Sequence, residues 1–386
     1  MFDFDTPIDR KSWDSVKWTK YSGRDVLPFW VADMDFATPR FIRDALAKRL
    51  RHPVLGYTSP PQELIEAFIA WAARRFEWLI DPDWVVPVTA VVPGLNLAVR
   101  SIGTNGDGCL IPYPIYPPIL EVPEQNGRLA LHSLLEKHGT SWIMNLDDIA
   151  AKARKSSTLI LCNPQNPTGR VYSRNELLEL ANLCLEFDTA IVSDEIHWGL
   201  ILDQDSSHIP IATLSQDIAY NTITLISHTK SYNVAGLLTA IAIVPNDSTR
   251  RRIEVQIDRT MPSGSPLAYA AAIAAYNDTS DWLTELNSYL RANRDLVKQT
   301  MDELPLTSME QVEGTHLAWI DVRSLPVQNA VAYFEAFGLG LSDGAQFGVP
   351  GFVRLNFAVP RKLLEQGLQR FRCAIDCASE PTRQSK

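Results

Sequence analysis

Lys230 closes a run of apolar and β-branched residues, Thr222-Ile223-Thr224-Leu225-Ile226, so its amine falls at the end of a strand. Two further groups follow other apolar runs in the same way. Asn166 lies in Asn163-Pro164-Gln165-Asn166-Pro167-Thr168-Gly169, and Asp194 in Ser193-Asp194-Glu195-Ile196-His197. An amine, a carboxylate and an amide at the ends of successive strands are what a pyridine aldehyde cofactor requires: a group to condense with the aldehyde, an anion beside the ring nitrogen and a donor to the ring hydroxyl. Each residue alone has a plainer explanation, since a lone lysine is surface charge and a loop aspartate is a turn former. Their joint order along the chain points to the cofactor.

Pyridoxal phosphate makes two further demands, a phosphate cradle and an aromatic over the ring face. Thr89-Ala90-Val91-Val92-Pro93-Gly94 precedes a predicted helix (Leu95 to Arg100), so the amides of Val91 and Val92 form an anion site at a helix N-terminus. Ser227 and Thr229 add hydroxyls, and Tyr116, in Tyr113-Pro114-Ile115-Tyr116-Pro117-Pro118, is able to stack on the ring. Lys230 must shed its proton to react, helped by partial burial and by the cofactor's own charge. Asp194 keeps the ring nitrogen protonated, which lets the ring accept electrons from a substrate α-carbon.

The elements that must position these groups are legible as short apolar runs alternating with amphipathic helices between about residues 85 and 245. The runs are 108–111, 158–162, 189–193, 222–226 and 238–244. This alternation predicts an α/β fold with a mainly parallel sheet flanked by helices, whose ligands gather at the carboxyl ends of the strands. Two capping boxes are expected, Ser59-Pro60-Pro61-Gln62 and Ser173-Arg174-Asn175-Glu176, each opening a helix. Leu27 to Phe36 reads as an extended arm rather than a core strand. Thr315 to Val322 and Phe352 to Phe357 read as strands of a second sheet in a smaller α+β unit. The expected organisation is an arm with part of the small domain (1–48), a large cofactor-binding domain (49–284) and a C-terminal small domain (285–386).

Composition bounds the partners. The 386 residues carry 36 Lys+Arg against 45 Asp+Glu, a formal charge of −9, which argues against nucleic acid or an anionic membrane as partner. Neither a secretory leader nor a run of about 18 apolar residues is present, so a cytoplasmic protein is expected. The five cysteines are scattered and odd in number, with no accompanying His spacing, which predicts neither a disulfide framework nor a metal site.

The segments Asn163 to Gly169, Ser193 to His197 and Ser227 to Asn233 resemble those of fold-type I pyridoxal phosphate enzymes of the class I/II aminotransferase superfamily. Within it, Trp30-Val31-Ala32-Asp33-Met34-Asp35-Phe36, His208-Ile209-Pro210, Gly314 to Asp321 and Gly351 to Asn356 are similar to MalY/PatB-type carbon–sulfur β-lyases. The resemblance implies an aspartate aminotransferase-like fold and a homodimer whose active sites lie at the subunit interface. It also implies that Arg354 grips the carboxylate of an amino-acid substrate, with Ala32 and Asn166 beside it, and that Tyr57 reaches the phosphate of the neighbouring subunit. The implied reaction is α,β-elimination from an S-substituted L-cysteine, with Lys230 as base and Tyr116 or Lys230 as acid. An aminotransferase is the alternative, and a non-catalytic binding or regulatory protein a third. Departures are Leu238, where phosphate-binding arginine is usual in aspartate-type aminotransferases, His197 in place of a tyrosine and His316 in place of an aromatic. His197 either tunes the ring or packs in the core, and His316 either faces substrate or is a neutral replacement.

Overall fold

The structure, a computed structural model, describes residues 2–139, 141–260 and 264–379. At its centre is a seven-stranded sheet of Val85–Val88 (β1), Gly108–Tyr113 (β2), Leu129–Leu134 (β3), Ser156–Cys162 (β4), Ala190–Asp194 (β5), Thr222–Ile226 (β6) and Ala240–Ile243 (β7). The spatial order is β1-β7-β6-β5-β4-β2-β3. Strand β7 is antiparallel to both neighbours and every other ladder is parallel. Parallel strands need cover on both faces, and the alternation of side chains supplies two apolar surfaces. Ile160 and Val192 pack with Leu95, Ala98 and Val99 of helix Val91–Ser101. Leu159, Leu161 and Ile191 face the other way, onto Leu177, Leu180 and Cys184 of helix Arg174–Glu186. Each of the Val, Leu and Ile side chains among them contributes about 1.5–3 kcal/mol by leaving water.

Local chemistry sets where the helices begin. The Ser173 box forms as predicted: Ser173 Oγ accepts from Glu176 N–H, and Glu176 Oε2 accepts from Ser173 N–H at 2.8 Å. The Ser59 box does not. Pro61 forces Pro60 out of the helical region, so the helix runs Gln62–Phe76 with Pro61 as its uncapped start, and Gln62 donates to Glu66 instead. Helix Val91–Ser101 lies so close to β6 that a Cβ on Gly94 would stand 2.7 Å from Leu225 Cδ2. That approach brings the helix N-terminus to the carboxyl end of β6.

A second, antiparallel sheet comprises Ser308–Met309 (β8), Leu317–Asp321 (β9), Ser342–Asp343 (β10) and Phe352–Asn356 (β11), in the order β8-β9-β11-β10. Its core also takes in helices Trp282–Glu303 and Arg361–Ser379. The supposed arm is corrected here. Leu27–Pro28 pairs in parallel with Leu339–Gly340, and Phe29, Met34 and Phe36 are buried in the same core, because the segment's apolar side chains find cover there. Strand β7 begins two residues later than its apolar run, since Leu238 adopts a left-handed backbone (φ 43°) after the turn Ala235–Leu237. Among the described residues no helix is long and apolar enough to cross a membrane.

Candidate active site

Strand β2 is flanked by β3 on one side and β4 on the other, so the order of the sheet reverses there. The crevice outside the carboxyl ends of such strands is where open α/β sheets bind ligands. Tyr116 follows β2, Asn166 follows β4, Asp194 ends β5 and Lys230 follows β6. All four line one cavity of about 560 Å³, together with Val91, Val92, His197, Ser227, Thr229, Ala32 and Arg354. Of the residues singled out in the sequence, Tyr57 and His316 lie elsewhere: His316 is buried, and Tyr57 is fully exposed on a segment where Val54 and Leu55 are exposed too.

Burial dominates the electrostatics. Lys230 Nζ donates to the Ala32 carbonyl at 2.7 Å, and desolvation lowers the amine from 10.5 to about 8, with Arg354 acting in the same direction and Asp33 and Asp194 opposing. Desolvation raises the Asp194 carboxyl to about 7 against the hydrogen bond it accepts from Ile196 N–H at 3.1 Å. The Tyr116 phenol is pushed up, chiefly by burial, and so keeps its proton. His197 falls to about 3 through burial and the nearby Lys230 and Arg354 cations, and is therefore neutral. Its Nδ1 is buried and without a hydrogen-bond partner. His316 does not line the cavity; it packs edge-on behind His197, 6.1 Å between ring centroids, and burial holds it neutral as well.

Arg354, on β11, reaches across from the second sheet. Its Nη1 donates to Asn166 Oδ1 at 3.0 Å and its Nη2 to the Trp30 carbonyl at 2.8 Å, while its Nε is buried without a partner. The guanidinium lies 4.7 Å from the Phe347 ring centroid, and desolvation lowers it to about 10. Trp30 to Phe36 thus acts through its backbone. The carbonyls of residues 30 and 32 accept from Arg354 and Lys230, whereas those of Val31 and Asp33 accept from Asn356 Nδ2 at 2.5 and 2.6 Å. Asn233 hydrogen-bonds the backbone of Met34 and Phe36, and Arg10 and Lys17 neutralise Asp33 and Asp35.

The residues fit pyridoxal phosphate. Ala90 provides no side-chain cap to helix Val91–Ser101, so the first-turn N–H groups of Val91 and Val92 are available to an anion. Ser227 Oγ, 2.8 Å from Thr229 Oγ1 and bonded to the Thr239 carbonyl, adds a hydroxyl wall. Leu238 lines the cavity where an arginine would otherwise supply charge. The buried, unpartnered Nε donor of Arg354, one carboxyl and one amine match a ligand bearing several anionic oxygens and an aldehyde.

Sequence reasoning missed Phe347, Ser342 and Gln346 as cavity walls. They sit on β10 and the short turn Gly344–Phe347, and no motif chemistry marks them. Conversely, two residues of the motifs are structural: His208 Nε2 lies 2.8 Å from Glu195 Oε2, a buried pair beneath the site. Among the described residues no group of His, Cys, Asp or Glu is arranged to hold a metal, and the buried Cys109, Cys162 and Cys184 and exposed Cys373 and Cys377 are all free thiols.

Residues 24–371 match the family Aminotransferase class I and II, and the chain belongs to that family. It is 35% identical to the cystathionine beta-lyase PatB of Bacillus subtilis (strain 168), across 96% of this chain and 99% of that protein. The crystal structure of OvoB superposes with a TM-score of 0.94 at 40% identity, covering 100% of both chains. The PLP-bound C-S lyase from Staphylococcus hominis does so at 0.91 and 30%, covering 97% and 98%.

Proposed function

We propose that the chain is a pyridoxal phosphate-dependent carbon–sulfur β-lyase, converting an S-substituted L-cysteine and water into a thiol, pyruvate and ammonia. The observation that carries this reading is the convergence of Lys230, Asp194, Asn166, Tyr116 and Arg354 on one cavity. The kinship to PatB and to the Staphylococcus hominis C-S lyase favours elimination over amino transfer.

When bound, the cofactor supplies a protonated ring that accepts the electron pair released at the substrate α-carbon. The chain's residues do the rest. Arg354 binds the substrate carboxylate with the fork of a guanidinium already oriented by Asn166 and the Trp30 carbonyl. Asp194 holds the ring nitrogen's proton by placing a carboxylate beside it. Lys230, whose amine needs only a pH near 8 to be free base, takes the α-proton, and the Ala32 carbonyl at 2.7 Å orients its Nζ. Tyr116, protonated because it is buried, donates to the departing sulfur. Val91, Val92, Ser227 and Thr229 hold the phosphate. Tyr57, with the exposed Val54 and Leu55, fits a homodimer interface and a contact to the second subunit's phosphate.

The test is a panel of S-substituted cysteines scored for thiol and pyruvate with cofactor-loaded protein. Pyruvate release that stops in Lys230→Ala is expected. Amino transfer to an added keto acid without pyruvate release overturns the lyase reading in favour of an aminotransferase.

A further inference from the structure

Behind Ala32 stands a cluster of charges that the proposed chemistry does not use, set against its base. Lys230 Nζ donates to the Ala32 carbonyl at 2.7 Å. The next residue, Asp33, presents a carboxylate whose Oδ1 is buried without a hydrogen-bond donor. Its Oδ2 is held by Arg10 Nη2 at 2.6 Å, and the fully buried Lys17 stands with Nζ 3.8 Å from Oδ1. The same two cations reach Asp35, Arg10 Nη1 at 2.6 Å from Oδ1 and Lys17 Nζ at 2.9 Å from Oδ2. Two cations against two carboxylates sum to zero formal charge. Arg10 belongs to the N-terminal segment ahead of helix Val16–Thr19, and neither it nor Asp33 lines the cavity. The other groups facing Lys230 are set by the two sheets: Asp194 at the end of β5 favours the ammonium, Arg354 on β11 opposes it, and His197 and Tyr116 are neutral. Among the charges acting on the amine, Asp33 exerts the largest influence, toward the ammonium.

We propose that Arg10 and Asp33 are a charge-setting pair for the base: by cancelling the Asp33 carboxylate, Arg10 keeps Lys230 from being locked as an ammonium and poises it to take the α-proton. Both act through Lys230 and are positioning residues. An unmatched carboxylate near an ammonium stabilises it, and an unmatched cation destabilises it. Arg10→Met leaves the cluster one charge negative, and Asp33→Asn leaves it one charge positive. The two losses therefore push Lys230 in opposite directions, which a cluster that merely staples the N-terminal segment would not do. The inference rests on Lys230 as the base of the proposed reaction, a role that elimination and amino transfer share.

Two midpoints report the proton on the Lys230 nitrogen. One is that of the acid limb of kcat against pH with an S-substituted cysteine; the other is that of the visible absorption band of the cofactor-loaded protein, titrated without substrate. In Arg10→Met both are expected about one pH unit higher than in the unmodified protein, and in Asp33→Asn about one unit lower. That is the low end for a close charge, because the Arg10 and Asp33 side chains are each 22% exposed. Arg10→Lys keeps the cation and should return both midpoints toward those of the unmodified protein. Thermal melting reports any loss of fold, and Asp33→Asn tests the pair by itself should Arg10→Met not fold. Unmoved midpoints in a folded variant, or shifts of the same sign in both, overturn the pair. An absorption band that shifts as expected, in a protein that releases no pyruvate from any S-substituted cysteine, overturns the lyase reading and supports the pair.

Discussion

Replacing Lys230 by methionine should stabilise the cofactor-free protein at neutral pH, and the gain should disappear in base. The magnitude follows from the burial of the amine. A tenfold change in proton affinity corresponds to about 1.4 kcal/mol, so a fall from 10.5 to about 8 costs the folded state about 3 kcal/mol while both states carry the ammonium. Below about pH 8 that cost is felt in full. Between 8 and 10.5 the folded amine has lost its proton while the unfolded chain keeps it, so stability rises with pH, and above 10.5 both states are neutral and the cost is gone. Methionine also forfeits the hydrogen bond to the Ala32 carbonyl, worth about 1 kcal/mol. The net expectation is a gain of about 2 kcal/mol at pH 7, shrinking to nothing or a small loss by about pH 10. Guanidinium denaturation followed by tryptophan fluorescence, at matched protein concentration, measures it. A variant no more stable than its parent at pH 7, or a gap that stays constant to pH 10, would refute the argument that desolvation sets the state of this amine.

Three further outcomes are expected. Arg354→Lys keeps a cation but loses the two-pronged geometry, so KM for the amino-acid substrate should rise about a hundredfold with kcat changing less, as read from steady-state rates. Asp194→Asn removes a carboxyl raised from 3.8 to about 7. The unfolded state ionises from 3.8 and the folded state only near 7, so the penalty grows across that window and is full above it; asparagine should stabilise the cofactor-free protein above pH 7 in melting experiments, yet weaken cofactor retention on dialysis about ten- to a hundredfold. Asn356→Ala leaves the Val31 and Asp33 carbonyls without their shared donor and should cost about 2 kcal/mol or more in denaturation. Asn356→Asp should not rescue it, because a carboxylate cannot donate to either carbonyl.

The sheet and the chemistry at its strand ends were legible because burial on both faces writes itself into composition. Five consecutive buried residues in β6 require an unbroken apolar and β-branched run, and a reactive residue just past such a run lands in the crevice. What was not legible depends on the path of the chain in space. Trp30 and Ala32 act through carbonyls, which every residue type possesses, so no side-chain chemistry marks them and only the resemblance of Trp30 to Phe36 to the lyase segment put Ala32 at the site. Ser342, Gln346 and Phe347 reach the cavity only because β10 packs beside β11, and the pairing of Ser342 with Arg354 is invisible until the register is known. The Ser59 box failed where a stronger local constraint, the Pro60-Pro61 pair, overrode the capping pattern.

The charge inventory of the cavity explains why so much of the surrounding structure is devoted to holding backbone in place. Lys230 and Arg354 are cations there, His197 and, behind it, His316 are neutral, and among the described residues Asp194 is the one acidic side chain on the cavity wall. Asp33, behind Ala32, is already bound by Arg10 at 2.6 Å. Burial drives Lys230, Arg354, Asp194 and the two histidines toward their neutral forms, a cost the protein alone recovers partly through fixed dipoles. The carbonyls of Trp30 and Ala32 are those dipoles, and they serve as acceptors only if the segment cannot relax. Asn356, Asn233, Arg10 and Lys17 prevent that from the far side. A phosphate and a substrate carboxylate complete the balance that the protein leaves positive, so binding energy from the two anions offsets the cost of holding the Lys230 and Arg354 cations that burial disfavours. The same burial that lowers stability thus makes the site selective for ligands with two anionic ends.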